Sequence, residues 1–188
     1  MAGTFSAGLE DIKPLKKLLK NNLFNWDNRR IMIFNYRLAC MHFGASQFDE
    51  AIDYLNLIIN QKAPDYRGDI QSFARILNLI AHFELGNDQL VEYQVKSVYR
   101  FLAKMEDLHE VQKEIFRFVR KLSRVRREEL HEEFVSLKNK LIKIREKQYE
   151  GRAFLYLDII SWLESKIENR SVEEVTQDKF KKIQETKV

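Results

Sequence analysis

Nucleophilic or metal chemistry in this chain would have to come from one cysteine, Cys40, and four histidines, His42, His82, His109 and His131. A reactive thiolate needs a neighbouring base and an exposed, electropositive setting. Cys40 instead lies inside a patterned apolar run and reads as a small buried residue. The histidines show neither HExxH spacing nor a companion CxxC pair, the arrangements that place several metal ligands around one ion. His42 and His82 stand about 40 residues apart in matching contexts, and two ligands are too few for a metal centre. They are expected to be satisfied between helices. No glycine-rich phosphate loop is present. The chain is therefore read as a non-enzyme, with no cofactor and no metal.

Phosphate contact is the other chemistry the residues could support. Lys113, Arg117, Arg120, Lys121, Arg124 and Arg127 follow steps of three and four, which puts them on one helix face opposite an apolar stripe. Such a face could bind nucleic acid, and that is the alternative function. Two features count against it. Glu128, Glu129, Glu132 and Glu133 follow at once, where a helical hairpin could pair them with the preceding bases. Base-stacking aromatics are not interleaved with the stripe on its exposed side. A solvated, partly self-neutralised face is the simpler reading.

The elements that must position these residues are helices. The 188 residues hold 45% hydrophobic side chains, enough for a real core, but only 6 Gly and 2 Pro, too few turn signals for a mainly β fold. Lys plus Arg number 32 against 28 Asp plus Glu, and a net charge of +4 is no basic nucleic-acid arm. Apolar residues recur at the three-and-four spacing that makes one stripe of an α-helix. The pattern predicts seven or eight helices in antiparallel hairpins. Residues 1–26 form an N-terminal segment with one helix, from Leu9 to Asn21, and Trp26 lies in a connector. Residues 27–106 form two hairpins, the first capped by Asp27-Asn28, the second by Asp69. Residues 107–168 form a longer hairpin and a capping helix carrying Tyr156, Ile160, Leu163 and Ile167, within the same domain. Residues 169–188 read as a charged, frayed tail.

Laying Ile33 over Phe73 matches helix-turn-helix to helix-turn-helix at a shift of about 40 residues, with His42-Phe43 on His82-Phe83. In the first unit, Leu38 and Ala39 form a Leu-small pair, Ala51 is the small residue facing it in the run Phe48-Asp-Glu-Ala-Ile, and Leu55 and Ile58 follow as core contacts. This stretch resembles a tetratricopeptide repeat. The second unit, Asp69 to Lys104, is similar to a divergent copy, with Leu79 and Val91 at the small positions. Asn35 and His42 replace two of the family's aromatics, and the shift exceeds the family's period of roughly 34 residues because the connector from Gln61 to Gly68 is longer.

The resemblance implies a short all-α solenoid that binds a protein or peptide. It places the binding groove on the first helix of each repeat, at Ile33, Tyr36, Arg37, Cys40 and Phe43, then Phe73, Ile76, Ile80 and Phe83. The Lys and Asn side chains of a carboxylate clamp are missing from these positions. The plainer reading is that the amino-terminal helix or the carboxy-terminal hairpin packs over these apolar residues as core. Trp162, Tyr93 and Tyr99 also read as core before interface. The apolar stripes from Val111 to Ile144 could serve a coiled-coil homodimer, although an internal hairpin explains them without a partner. Residues 1–10 lack a signal-like pattern and no apolar run is long enough to span a membrane, so a cytoplasmic, reducing setting with no membrane partner is expected.

Overall fold

A computed structural model of the chain describes residues 3–13, 26–61, 67–105, 108–122 and 125–186, and these contain nine α-helices, two short 3-10 segments and no strand. The helices are α1 (Phe5–Asp11), α2 (Asn28–Gly44), α3 (Phe48–Ile59), α4 (Gly68–Glu84) and α5 (Asp88–Leu102). Then come α6 (Glu110–Leu122), the 3-10 turn Arg127–Glu129, α7 (Leu130–Arg145), the 3-10 segment Gly151–Leu155, α8 (Ile159–Glu168) and α9 (Val172–Glu185). The protein is all-α. The first helix starts earlier than its apolar spacing suggests, at Phe5, and the expected stop at Asn21-Asn22 lies outside the described residues, as does the Ala63-Pro64-Asp65 turn.

The two central hairpins are built alike, each second helix antiparallel to its first. Gln47 N donates to His42 O and Ser46 N to Phe43 O; forty residues on, Asn87 N donates to His82 O and Gly86 N to Phe83 O. These are paired Schellman turns, closed by left-handed residues at Ser46 (φ +59°) and Gly86 (φ +72°). Glycine suits that backbone, whereas Ser46 holds it against a Cβ penalty. Helix starts are more varied. The Asp27 carboxylate accepts from Arg30 N at 2.8 Å and starts α2 as expected. Asp69, by contrast, is not the cap of α4. That position is taken by Arg67 at φ +56°, and the Asp69 carboxylate, inside the first turn, is engaged by the Arg67 guanidinium at 2.8–3.2 Å.

Helix α4 is the axis of the core. Twelve of its seventeen residues are buried, spread over its whole circumference, and it packs on α2, α3, α5 and α6. A helix apolar on all sides has nowhere to go but the interior. Beyond it, α6 and α7 form an antiparallel hairpin, whose direction is fixed by ion pairs that run in opposite order along the two helices: Lys121 with Glu133, Lys140 with Glu114 and Lys147 with Glu110. Helix α8 packs on α7, and α9 on α8.

The frayed tail expected from Asn169 onward is instead the ordered helix α9. Ser171 and Glu174 form a reciprocal capping box, and Val172, Val175 and Thr176 are buried. These buried side chains and the cap, with polar contacts from α1 and α8, order a helix that is otherwise charged. Tyr156, expected on the last packed helix, sits instead between the 3-10 segment and α8. Helix α1 fastens to α9: Ser6 donates from its amide and its hydroxyl to the Glu173 carboxylate, at 3.0 and 2.6 Å, and Gln177 Nε2 donates to Gly3 O. The Phe5 ring lies directly over Gly44, where an added Cβ would stand 2.6–2.7 Å from three ring atoms. Alanine normally favours a helix interior over glycine by about 0.5–1 kcal/mol, but here it would overpack the ring. Gly44→Ala is therefore expected to lose about 1–3 kcal/mol in urea unfolding, and the Phe5→Ala, Gly44→Ala double variant to recover part of that loss. Additive losses would show that the ring does not occupy this notch.

Candidate functional site

The residues placed along a peptide groove are not an open surface. Tyr36, Phe43, Phe73, Ile76 and Ile80 are all buried, at 5% exposure or less, and Ile33, Cys40 and Phe83 are half-buried against the same core. Only Arg37 is exposed. The carboxy-terminal half covers this face. The Tyr156 ring stacks on Phe73 with centroids 5.4 Å apart, its carbonyl oxygen lies 3.9 Å from the Cys40 sulfur, and its hydroxyl accepts from Arg67 at 3.2 Å. Farther along, Phe134 meets Phe83 at 6.4 Å and Trp162 at 5.6 Å. The Trp162 indole donates to Glu84, which also holds Lys166. Apolar side chains at these positions attract whatever covers them, and this chain supplies its own cover. The groove reading gives way here to the plainer one, in which the carboxy-terminal part of the chain packs over these residues as core.

Two polar groups are trapped beneath that cover. Burial pushes the Cys40 thiol up to about 12, which removes it as a nucleophile at neutral pH. The Tyr36 hydroxyl is buried without a hydrogen bond of ordinary geometry among the described residues, and burial first, then the neighbouring Cys40 thiol, raises its pKa well above the usual value. At the rim, burial acts to raise the Asp69 pKa, but hydrogen bonds from Arg67 and Tyr156 outweigh it and leave the carboxyl below its usual range. The two matched histidines each turn to an amide of their own turn, His42 Nδ1 to Gln47 Oε1 at 2.7 Å and His82 Nδ1 to Asn87 Nδ2 at 3.3 Å. Among the described residues no group of three or more His, Cys, Asp or Glu side chains could hold a metal ion.

The basic stripe is real but interleaved with acids. Lys113, Arg117, Arg120 and Lys121 are exposed on α6. Arg117 pairs with Glu114, and Lys121 pairs with Glu133 across the hairpin. Lys113 and Arg120 have no ion pair among the described residues. Arg124 lies outside the described residues, and Arg127 falls in the 3-10 turn that precedes α7. Exposed pairs of this kind contribute roughly 0–1 kcal/mol each, but they halve the charge that the stripe presents to a phosphate.

The feature that sequence reasoning missed is the corner between α7 and α8. Glu150 turns inward and accepts from Glu110 N at 3.0 Å, while Lys147 reaches the Glu110 carboxylate at 2.7 Å. With the chain pinned on both sides, Tyr149 is held at φ +74°, a conformation that costs a non-glycine residue on the order of 1–2 kcal/mol. Its ring is 79% exposed, and Leu155 is 81% exposed. They flank an open depression of about 460 Å³ lined by Lys147, Tyr149, Gly151, Arg152 and Leu155. Of the two, Tyr149 alone stands on a left-handed backbone, and both side chains are displayed to solvent. The only signal in the sequence is Gly151, which permits a break without saying what the break displays.

Two outcomes test this geometry. Tyr36→Phe removes that buried hydroxyl and is expected to leave stability unchanged or raise it by up to about 1 kcal/mol, read as the thermal midpoint; a loss above that size would mean that the hydroxyl is satisfied. Asp69, with its folded pKa lowered, contributes stability above its unfolded pKa that is lost as pH falls from about 3.9 through the lower folded value. In Arg67→Ala the burial effect remains while its main counterweight is gone, so the acid-side slope in urea unfolding should become shallower; an unchanged slope would remove Asp69 from the account. No protein family, curated protein or solved structure matches the chain, so its function rests on this geometry.

Proposed function

We propose that the chain is a non-catalytic protein-interaction scaffold, a short solenoid of tetratricopeptide-like hairpins that docks a partner protein through the Tyr149–Leu155 corner. Support for the solenoid comes from the repeat. Helices α2 and α4 begin at Asn28 and Gly68 and end at Gly44 and Glu84, offset by forty residues at both ends, and the turns that follow share their hydrogen bonds. Each such hairpin leaves one face too apolar for water and stacks on its neighbour. The single observation that carries the docking site is the pair Tyr149 and Leu155, displayed at 79% and 81% exposure beside Lys147 and Arg152. Because the groove of the first helices is filled by Tyr156, Phe134 and Trp162, a partner segment is met at this corner instead of along α2 and α4. An aromatic anchor with flanking cations is a common interface arrangement. No helix among the described residues is long and apolar enough to cross a membrane.

The competing nucleic-acid reading keeps Lys113 and Arg120 as its unpaired cations. Capture on the immobilised full chain separates the two. A defined protein should remain bound after nuclease treatment and be lost with Tyr149→Ser and Leu155→Ser, while Tyr93→Ser serves as the control, because Tyr93 and Tyr99 are not the core residues expected but stand 78% and 55% exposed on α5. These solvent-facing changes should alter stability by no more than about 0.5 kcal/mol. Release of all bound material by nuclease, or capture indifferent to the corner, would overturn the proposal.

A further inference from the structure

We infer that the docking corner takes a second copy of this chain, at the outer face of α3, so that copies associate head to tail. The inference rests on reading the corner as a docking surface and adds its occupant. A second depression, on the outer face of α3, is lined by His42, Glu50, Asp53, Tyr54 and Leu57. The two are opposite in sign. The corner's ionisable lining is Lys147 and Arg152, with no carboxylate. The α3 depression has Glu50 and Asp53, and the whole of Phe48–Ile59 contains three carboxylates and no Lys or Arg.

Both faces also carry apolar surface out of place in water. Leu57, one turn beyond Asp53 in the lining of the acidic depression, is 55% exposed, and Tyr149 and Leu155 are exposed beside the basic one. Glu50, Asp53 and Arg152 form no ion pair among the described residues, whereas Lys147 already shares the Glu110 carboxylate. The faces share no residue, and no ion pair joins them within one copy. A contact between two different patches is heterologous: each copy offers one acidic and one basic face, and a single contact leaves one of each unused. Copies joined by one such contact grow into rings or open chains, and two contacts made reciprocally close a two-fold dimer. Apolar contact would supply most of the affinity, and the charges would set orientation and rate of encounter.

Sedimentation velocity on the full chain, from micromolar to near-millimolar concentration, tests this directly. The weight-average mass should rise with concentration, and raising the salt should weaken the association by about tenfold, the effect of screening charges on a partly exposed interface. Glu50→Lys with Asp53→Lys makes both faces basic, and Arg152→Glu with Lys147→Glu makes both acidic. Each variant alone should stay monomeric, and an equimolar mixture should associate again. Arg152→Glu by itself leaves the Lys147–Glu110 pair in place and should weaken association in the same direction. A wild-type chain that stays monomeric throughout, or a mixture that does not associate, overturns the inference. If such a monomer still loses captured protein with Tyr149→Ser and Leu155→Ser, the corner remains a docking site and only its occupant was wrong; if capture also persists, both readings fall.

Discussion

A single helix without a face for water governs this molecule. Helix α4 buries Ile70, Phe73, Ile76, Leu77, Leu79 and Ile80 on different sides of its cylinder, each contributing roughly 1.5–3 kcal/mol on removal from water. No one neighbour can cover them all. Its buried polar residues set a stricter condition, because each needs a partner in the right place. Gln112 of α6 donates to Ser72, Arg75 donates to Gln71 while lying 3.6 Å over the Phe101 ring of α5, and Asn78 reaches Asn56 of α3 at 3.5 Å. Three surrounding helices are thus tied to α4 by polar contacts as well as by apolar area. Hydrophobic burial gathers the helices, and these contacts fix their register.

That requirement explains why the carboxy-terminal half closes over the first two hairpins. A stacked hairpin exposes an apolar face until another element covers it. Here α6 covers one side of α4, and the segment through Tyr156 covers the face shared by Phe73 and Cys40. The aromatic group of Phe83, Phe118, Phe134 and Trp162 joins α4, α6, α7 and α8 into one packed layer, with ring centroids 5.6–6.4 Å apart. The face along the first helices of the two hairpins is thus spent on internal cohesion.

Much of the fold was legible in the sequence because helical periodicity and short polar breaks are local signals. The starts and stops of α2, the end of α4, the span of α5 and the hairpin of α6 with α7 follow from apolar spacing, Asp27, Gly86 and the charge order from Lys113 to Glu133. The errors occurred where a distant partner decided the outcome. Asp69 has the residue type of a cap, but Arg67 takes its carboxylate. The segment after Asn169 is poor in apolar residues, yet a capping box and contacts from Gly3 and Ser6 order it as α9. The groove positions were legible as apolar residues that a terminal element would cover, but which side chains would sit on them, Tyr156 and Phe134, depends on distant packing. The Tyr149 corner was invisible for the same reason, since its shape depends on Glu150 reaching Glu110 across the hairpin.

That reach has a further consequence. The Glu110 amide is one of the first in α6, which has no helical carbonyl to receive it, and the Glu150 side chain is its acceptor. Tyr149 is the immediate neighbour of Glu150, and its left-handed backbone is what allows one residue to face solvent while the next faces inward. Relaxing that backbone would also shift the carboxylate. The protection of the Glu110 amide hydrogen against exchange with solvent therefore reports the conformation of a corner that its own carboxylate also helps to hold, through Lys147.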